Sequence, residues 1–266
     1  MHDSDQLWCS HDANPTTGSR TESVIRHEGE GVGKPQLSVW VAAHLREKII
    51  SGKLSPGTFL RIDAIARELE ISTTPVREGL LLLHSESYVR LMPRRGFIVN
   101  SFTKGDLRDL FWAQATICAQ LAERATVLIS SKEISDLWTL HQQHVEAVEM
   151  HDTEASAKLG HRFHRTINLA AQAPRLALLL GSLTKQLPNR FYANIEGQLE
   201  DAISYHPIIL DAISVRDADA VRSLMFRHIV SGAEHLIGML DRQGVWAALD
   251  QSSIPAAPDS RLSAAD

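Results

Sequence analysis

Two groups of side chains in this 266-residue chain have types and spacing that could do chemistry. The first is Thr73, Thr74 and Arg77, two short hydroxyls followed by one long cation. At the start of a helix, such residues offer donors to phosphates and base edges, as a helix entering the DNA major groove does. The second group is His164, His206 and His228, which fall on three separate helical stretches. Three neutral imidazoles with a fourth position open suit Zn2+, and other first-row divalent ions also accept imidazole. Only the fold could bring these three together. Taken by residue type alone, core or surface histidines are the ordinary alternative.

The elements that would position the first group are legible between Ile62 and Val99. Ile62, Ile65, Ala66 and Leu69 follow the i, i+3, i+4, i+7 rhythm of an amphipathic helix. Ser72 or Thr74 can cap a second helix, with Pro75 tolerated in its first turn. Val76, Leu80 and Leu83 form the buried face of that helix and leave Thr73, Thr74 and Arg77 on the other. Two strands are then expected around the turn Pro93-Arg94-Arg95-Gly96.

The same stretch carries a resemblance. Ile65-Ala66, Leu69, Ile71-Ser72, Thr74-Pro75-Val76-Arg77-Glu78, Leu80, Arg95-Gly96 and Val99 resemble the winged helix-turn-helix of GntR-type bacterial regulators. The resemblance implies that Ser72, Thr73, Thr74, Arg77 and the wing residues Arg95 and Gly96 meet operator DNA. Two departures stand out. Thr73 replaces the Arg usual after the turn Ser, and Asp63 stands where a base is common. Losing one Arg alters base readout, because Arg bidentate to guanine is the commonest specific contact.

Hydrophobic residues make up 44% of the chain and charged residues 22%, the balance of a soluble globular protein. The formal charge of -5 is unevenly spread. Residues 36–100 hold nine Lys/Arg against six Asp/Glu, and residues 101–250 hold fourteen against eighteen. A mildly basic module on an acidic body fits DNA contact confined to one end. The two cysteines, Cys9 and Cys118, imply no disulfide framework and point to a reducing cytoplasm. No apolar run approaches the roughly 20 residues of a membrane span, and the N-terminus lacks a signal-peptide pattern.

Residues 1–35 and 251–266 are polar and small-residue-rich, so both are expected to be disordered tails. A winged-helix domain over 36–100 and a short linker at 101–105 lead into a helical domain over 106–250. Leu107, Phe111, Ala115, Cys118, Leu121 and Ala122 mark a first long helix there, with Thr103 or Asp106 as its cap. Ile134, Leu137, Leu140, His144 and Val148 mark a second. Leu159, Phe163, Ile167, Leu169 and Ala170 mark a third. A fourth starts over Leu176–Leu183 and bends near Pro188; two more cover about 199–215 and 218–242. The fold class is therefore mainly α: a winged helix with a small β wing, then an antiparallel bundle able to hold ligands between helices.

This helical half resembles the FCD effector domain of the FadR-like branch of the GntR group. The segments Arg162–Ile167, Tyr205-His206-Pro207-Ile208 and Met225-Phe226-Arg227-His228 sit where that family keeps its metal histidines. The resemblance implies a divalent transition metal at His164, His206 and His228, with Zn or Ni favoured. The family's acidic fourth ligand, four residues before the first His, is Gly160 in this chain. Water, an effector carboxylate or His161 could stand in its place. The family's effector Arg and Glu become Gln114 and Cys118, and Arg190, Tyr192 and Asn194 are further candidates for the pocket; Gln114, Arg190 and Asn194 are the set retained. Trp112 and Trp138 are taken as core or interface aromatics. His141 and His144, three apart, form either a separate site or a half-buried polar edge.

The expected function is a ligand-responsive, DNA-binding transcription regulator, a repressor by the family's usual logic and a homodimer on a pseudo-palindromic operator. Its effector is a small molecule, a carboxylate by resemblance, and its setting the bacterial cytoplasm with no membrane contact. One alternative is a metal-dependent hydrolase or lyase on the three-His site. Another is a winged helix used for protein contacts.

Overall fold

A computed structural model describes residues 34–187 and 200–247. Helix α1 (Lys34–Ile50) buries Val41, Ala42, Leu45, Ile49 and Ile50. Strand β1 (Phe59–Leu60) precedes α2 (Ile62–Glu68) and α3 (Thr73–Ser85), and β2 (Val89–Met92) and β3 (Gly96–Val99) form the wing. The sheet is antiparallel in the order β1-β3-β2, with Leu60 opposite Phe97 and Arg90 opposite Ile98. Strand β1 was not expected, since two residues are too few for an alternating pattern to register.

Glycine is required where these pieces meet. A Cβ on Gly79 would lie 2.8 Å from Val41 Cγ1, so its absence lets α3 approach α1. Gly96 has φ of +93°, and a Cβ there would lie 2.9 Å from the Leu60 carbonyl oxygen. Its primary role is thus to let β1 close on the wing. Arg46 of α1 donates through Nε to Glu86 at 3.0 Å, in a setting where burial raises the Glu86 carboxyl above its ordinary range despite the guanidinium.

The helical half comprises α4 (Lys104–Leu128), α5 (Ser131–Glu149), α6 (Thr153–Ala170), α7 (Pro174–Thr184), α8 (Glu200–Ser214) and α9 (Ala218–Arg242). Capping boxes start α4 (Thr103 with Asp106) and α5 (Ser130 with Glu133), and Asp152 and Asp217 cap α6 and α9. Helix α7 begins on Pro174 and stops at Thr184; Pro188 lies outside the described residues. Helix α8 continues through Pro207, which removes one backbone donor directly after His206. Cys118, Leu121, Phe163, Ile167, Leu210 and Met225 are among the residues of the bundle core. Burial pushes the Cys118 thiol up to about 12, so it packs as a small apolar group.

The winged helix does not stand apart from this bundle. Its core continues through Leu107 and Phe111 of α4 into Leu236, Ile237 and Leu240 of α9, then Val245 and Trp246. Trp246 is 5% exposed and donates through Nε1 to the Ile237 carbonyl at 3.1 Å. Ile229 of α9 packs against both cores. One expectation for a single residue does not hold: Leu169 is 46% exposed, on the solvent side of its helix. Trp112 is 60% exposed, so of its two readings, core or interface, the core one is ruled out. Among the described residues, no helix is long and apolar enough to cross a membrane. The expected tails fall outside the described residues, save Lys34 and Pro35 at the start of α1.

Candidate functional site

At the start of α3, Ser72 is the N-cap but makes no side-chain capping bond. Ser72, Thr73, Thr74 and Arg77 are exposed, whereas Pro75, Val76, Leu80 and Leu83 are buried. The helix therefore presents its hydroxyls and its cation together, with the positive end of its dipole beneath them. Arg95 is exposed on the wing turn, beside Arg94 in a left-handed conformation, and Arg90 is exposed on β2. Gly96 is half-exposed at the end of the wing turn, with φ of +93°. Sequence reasoning passed over Arg67. It lines a shallow hollow with Asp63, Ser72 and Thr73, placing a cation beside the turn that lacks the usual Arg.

The second site lies in the bundle. Helices α6, α8 and α9 deliver His164, His206 and His228, with one ligand atom of each lying within 4.8 Å of the others. Nε2 of His228 and Nε2 of His164 are 3.1 Å apart. His206 is 1% exposed, and neither of its ring nitrogens has a hydrogen-bond partner. Phe163 stacks on its face at 3.9 Å between centroids. Burying an imidazole with two unsatisfied nitrogens is costly, and an ion would satisfy one of them. Burial, then the neighbouring rings, holds His206 and His164 well below the ordinary imidazole range; burial, then His144, pushes His228 down to about 4. All three are therefore neutral near pH 7, the form a metal needs. The donor set fits a borderline-soft divalent ion.

The structure corrects the expectation for α5. His141 (8% exposed) and His144 (1% exposed) are not a half-buried edge, nor a separate site. Their ring centroids lie 6.0 and 5.4 Å from that of His206. The helical spacing of His141 and His144 was visible; that α5 packs this face toward α8 was not. Gly160 is buried; His161 is exposed on α6, yet it is near enough for its charge to act on His164. Gln114 is buried on α4. Arg190, Tyr192 and Asn194 lie outside the described residues. A hollow of about 710 Å3 lies elsewhere, between the winged helix and α4, lined by Tyr88, Arg90, Asn100, Asp106 and Gln186 among others. It contains none of these histidines, so the converging nitrogens, not that hollow, mark the candidate centre.

Residues 37–99 match the model of the bacterial regulatory proteins of the gntR family, and residues 109–231 match that of the FCD domain. The chain is 26% identical over 206 residues to the HTH-type transcriptional repressor RspR of Escherichia coli K12, spanning 76% of this chain and 90% of that protein. It is 24% identical over 212 residues to the gluconate operon transcriptional repressor of Bacillus subtilis, spanning 77% and 85% respectively. The structure of E. coli McbR/YncC is similar with a TM-score of 0.56 at 23% identity, covering 78% of this chain and 98% of that one. Listeria monocytogenes Lar follows at a TM-score of 0.52 and 17% identity, covering 79% and 99%.

Proposed function

Starting from a chain that is a GntR-family transcriptional regulator, a winged helix joined to an FCD domain, we propose that it is a repressor whose helical half binds a small anionic effector at a metal held by His164, His206 and His228. The two domains are those of a DNA-binding regulator, which leaves no place for the hydrolase or lyase alternative. Repression is supported by the names of two relatives, RspR and the gluconate operon repressor. A homodimer in the cytoplasm would set two copies of α3 on matching half-sites, since two-fold protein symmetry requires a palindromic operator.

The observation that carries the effector site is His206, buried with both ring nitrogens unpartnered between His164 and His228. A bound divalent ion supplies a positive centre that a carboxylate can ligate. The chain's own part is to hold the imidazoles neutral, to wall the site with Phe163, and to carry its movements onward. Helix α9 suits that last role: it bears His228 and, from two turns later, Leu236, Ile237 and Leu240, which pack in the winged-helix core. A shift of α9 on ligand binding displaces the DNA-reading module, and such coupling is typically about 1–3 kcal/mol.

The test is elemental analysis of freshly purified protein with a gel shift on DNA flanking its own gene. Wild type should carry about one transition-metal ion per chain and bind that DNA with sequence preference. His206→Ala should lose the ion and any effector response. Absence of stoichiometric metal from wild type, even after Zn2+ is supplied, would sink the metal reading. Absence of sequence preference at moderate salt would sink the repressor reading.

A further inference from the structure

Helix α6 supplies one imidazole to the cluster but no carboxylate, because residue 160 is glycine. Resting on the metal reading above, we infer that His144 of α5 takes the fourth donor position, so that the site is built from four imidazoles. Ser156, Gly160 and His164 are spaced by four and so share one stripe of α6. Ser156 is fully buried, and its Oγ lies 3.0 Å from His144 Nε2. The α5 imidazole is thereby tied to the very stripe from which an acidic ligand is missing, one turn from Gly160. This bond also fixes the ring's orientation, as partners of metal-bound histidines commonly do, and assigns ligation to Nδ1.

His144 is 1% exposed, with its ring centroid 5.4 Å from that of His206. His141 is the less buried of the two α5 imidazoles, at 8% exposure. His141 is also farther from His206, at 6.0 Å, and turns its edge toward Trp138. Ligand atoms of His164, His206 and His228, one from each, lie within 4.8 Å of one another, and His144 completes the set by a swing of its ring about the retained Nε2–Ser156 bond, which carries Nδ1 to the ion. An all-imidazole set has two consequences. It disfavours oxygen-preferring ions such as Mn2+ and Mg2+ relative to Zn2+, Ni2+ or Co2+. It also leaves the ion's double charge uncancelled, whereas an acidic ligand would remove one unit and weaken attraction for an anionic effector.

The experiment uses full-length protein stripped of metal. Zn2+ affinity is measured by chelator competition and Co2+ loading by visible absorption, for wild type, His144→Gln and His141→Gln, with circular dichroism as a check on folding. His144→Gln should bind Zn2+ at least about ten-fold more weakly and show an altered Co2+ spectrum, while His141→Gln stays within about two-fold. If His144→Gln loses helix content, Ser156→Ala keeps the imidazole and removes only its hydrogen bond. It should weaken Zn2+ binding by about ten-fold or more. Wild-type affinity and spectrum in His144→Gln, or in Ser156→Ala where that variant is needed, would overturn the fourth donor and leave a three-imidazole site. Failure of wild type to bind either ion would overturn the metal reading and the fourth donor with it.

Discussion

Nε2 of His164 and Nε2 of His228 face each other at 3.1 Å, so at least one of the two carries no proton. Around them stand His206 and His144 from α8 and α5 and the ring of Tyr205, and burial holds His228 down to about 4. An unfolded imidazole titrates near 6.5, so between about 6.5 and 4 the unfolded chain binds more protons than the folded one. Metal-free protein should therefore lose stability as pH falls through that window. His228 alone accounts for about 3 kcal/mol across it. Urea midpoints that stay flat from pH 7 to 5 in chelated protein would contradict this, and His228→Gln should flatten the slope.

Arg77→Ala should weaken operator binding by about 1–3 kcal/mol without lowering helix content, since the guanidinium is exposed and its helix is packed through Val76, Leu80 and Leu83. Fluorescence anisotropy on specific and scrambled duplexes separates two roles. A base contact relaxes specificity, and a phosphate contact lowers both affinities alike and reduces the salt dependence.

On the wing, neighbouring residues should behave differently. Gly96→Ala should lower the melting temperature, because a Cβ at φ of +93° meets the Leu60 carbonyl oxygen; the cost is about 1–3 kcal/mol. Arg95→Ala should leave melting unchanged and weaken DNA binding. Equal melting temperatures for Gly96→Ala and wild type would show that β1 yields to the added methyl.

Where α4 and α9 enter the winged-helix core, packing and not the ion pairs between these two helices should hold the structure. Trp246→Ala should cost about 3–5 kcal/mol, by loss of a buried aromatic and its hydrogen bond to Ile237. Arg108→Ala, which removes the exposed pair with Glu234 at 2.6 Å, should leave the melting temperature within error. Thermal melts of the two variants side by side decide it.

How much was readable before any coordinates depended on whether a signal was local. Periodicity and caps placed α2, α3 and the wing within a residue or two, because Ile65, Val76, Leu80 and the turn at Pro93 act on their own neighbours. Of the two cap candidates for α4, Thr103 and Asp106, the first is the N-cap and the second completes its capping box, a local signal for the same reason. Strand β1 carried too few residues to be seen. His164, His206 and His228 could be nominated from family likeness, yet their convergence is a product of helix packing. His141 and His144 are legible as neighbours on one face of α5 and not as neighbours of His206, since no spacing rule reports which face of one helix meets another. The DNA role of Gly96 comes from likeness alone, and no spacing signal announces its φ of +93° or its approach to the Leu60 carbonyl.

Trp246 falls beyond residue 231, where the match to the FCD domain ends, yet it completes the core shared with residues 37–99. Anyone cutting this chain at the linker to graft its DNA reader onto another sensor would leave behind part of the reader's own interior. A working hybrid would have to carry the last turns of α9 and the residues through Trp246 as well. Exchange of this chain's sensor is thus constrained by Leu236 through Trp246, and not only by the joint between its halves.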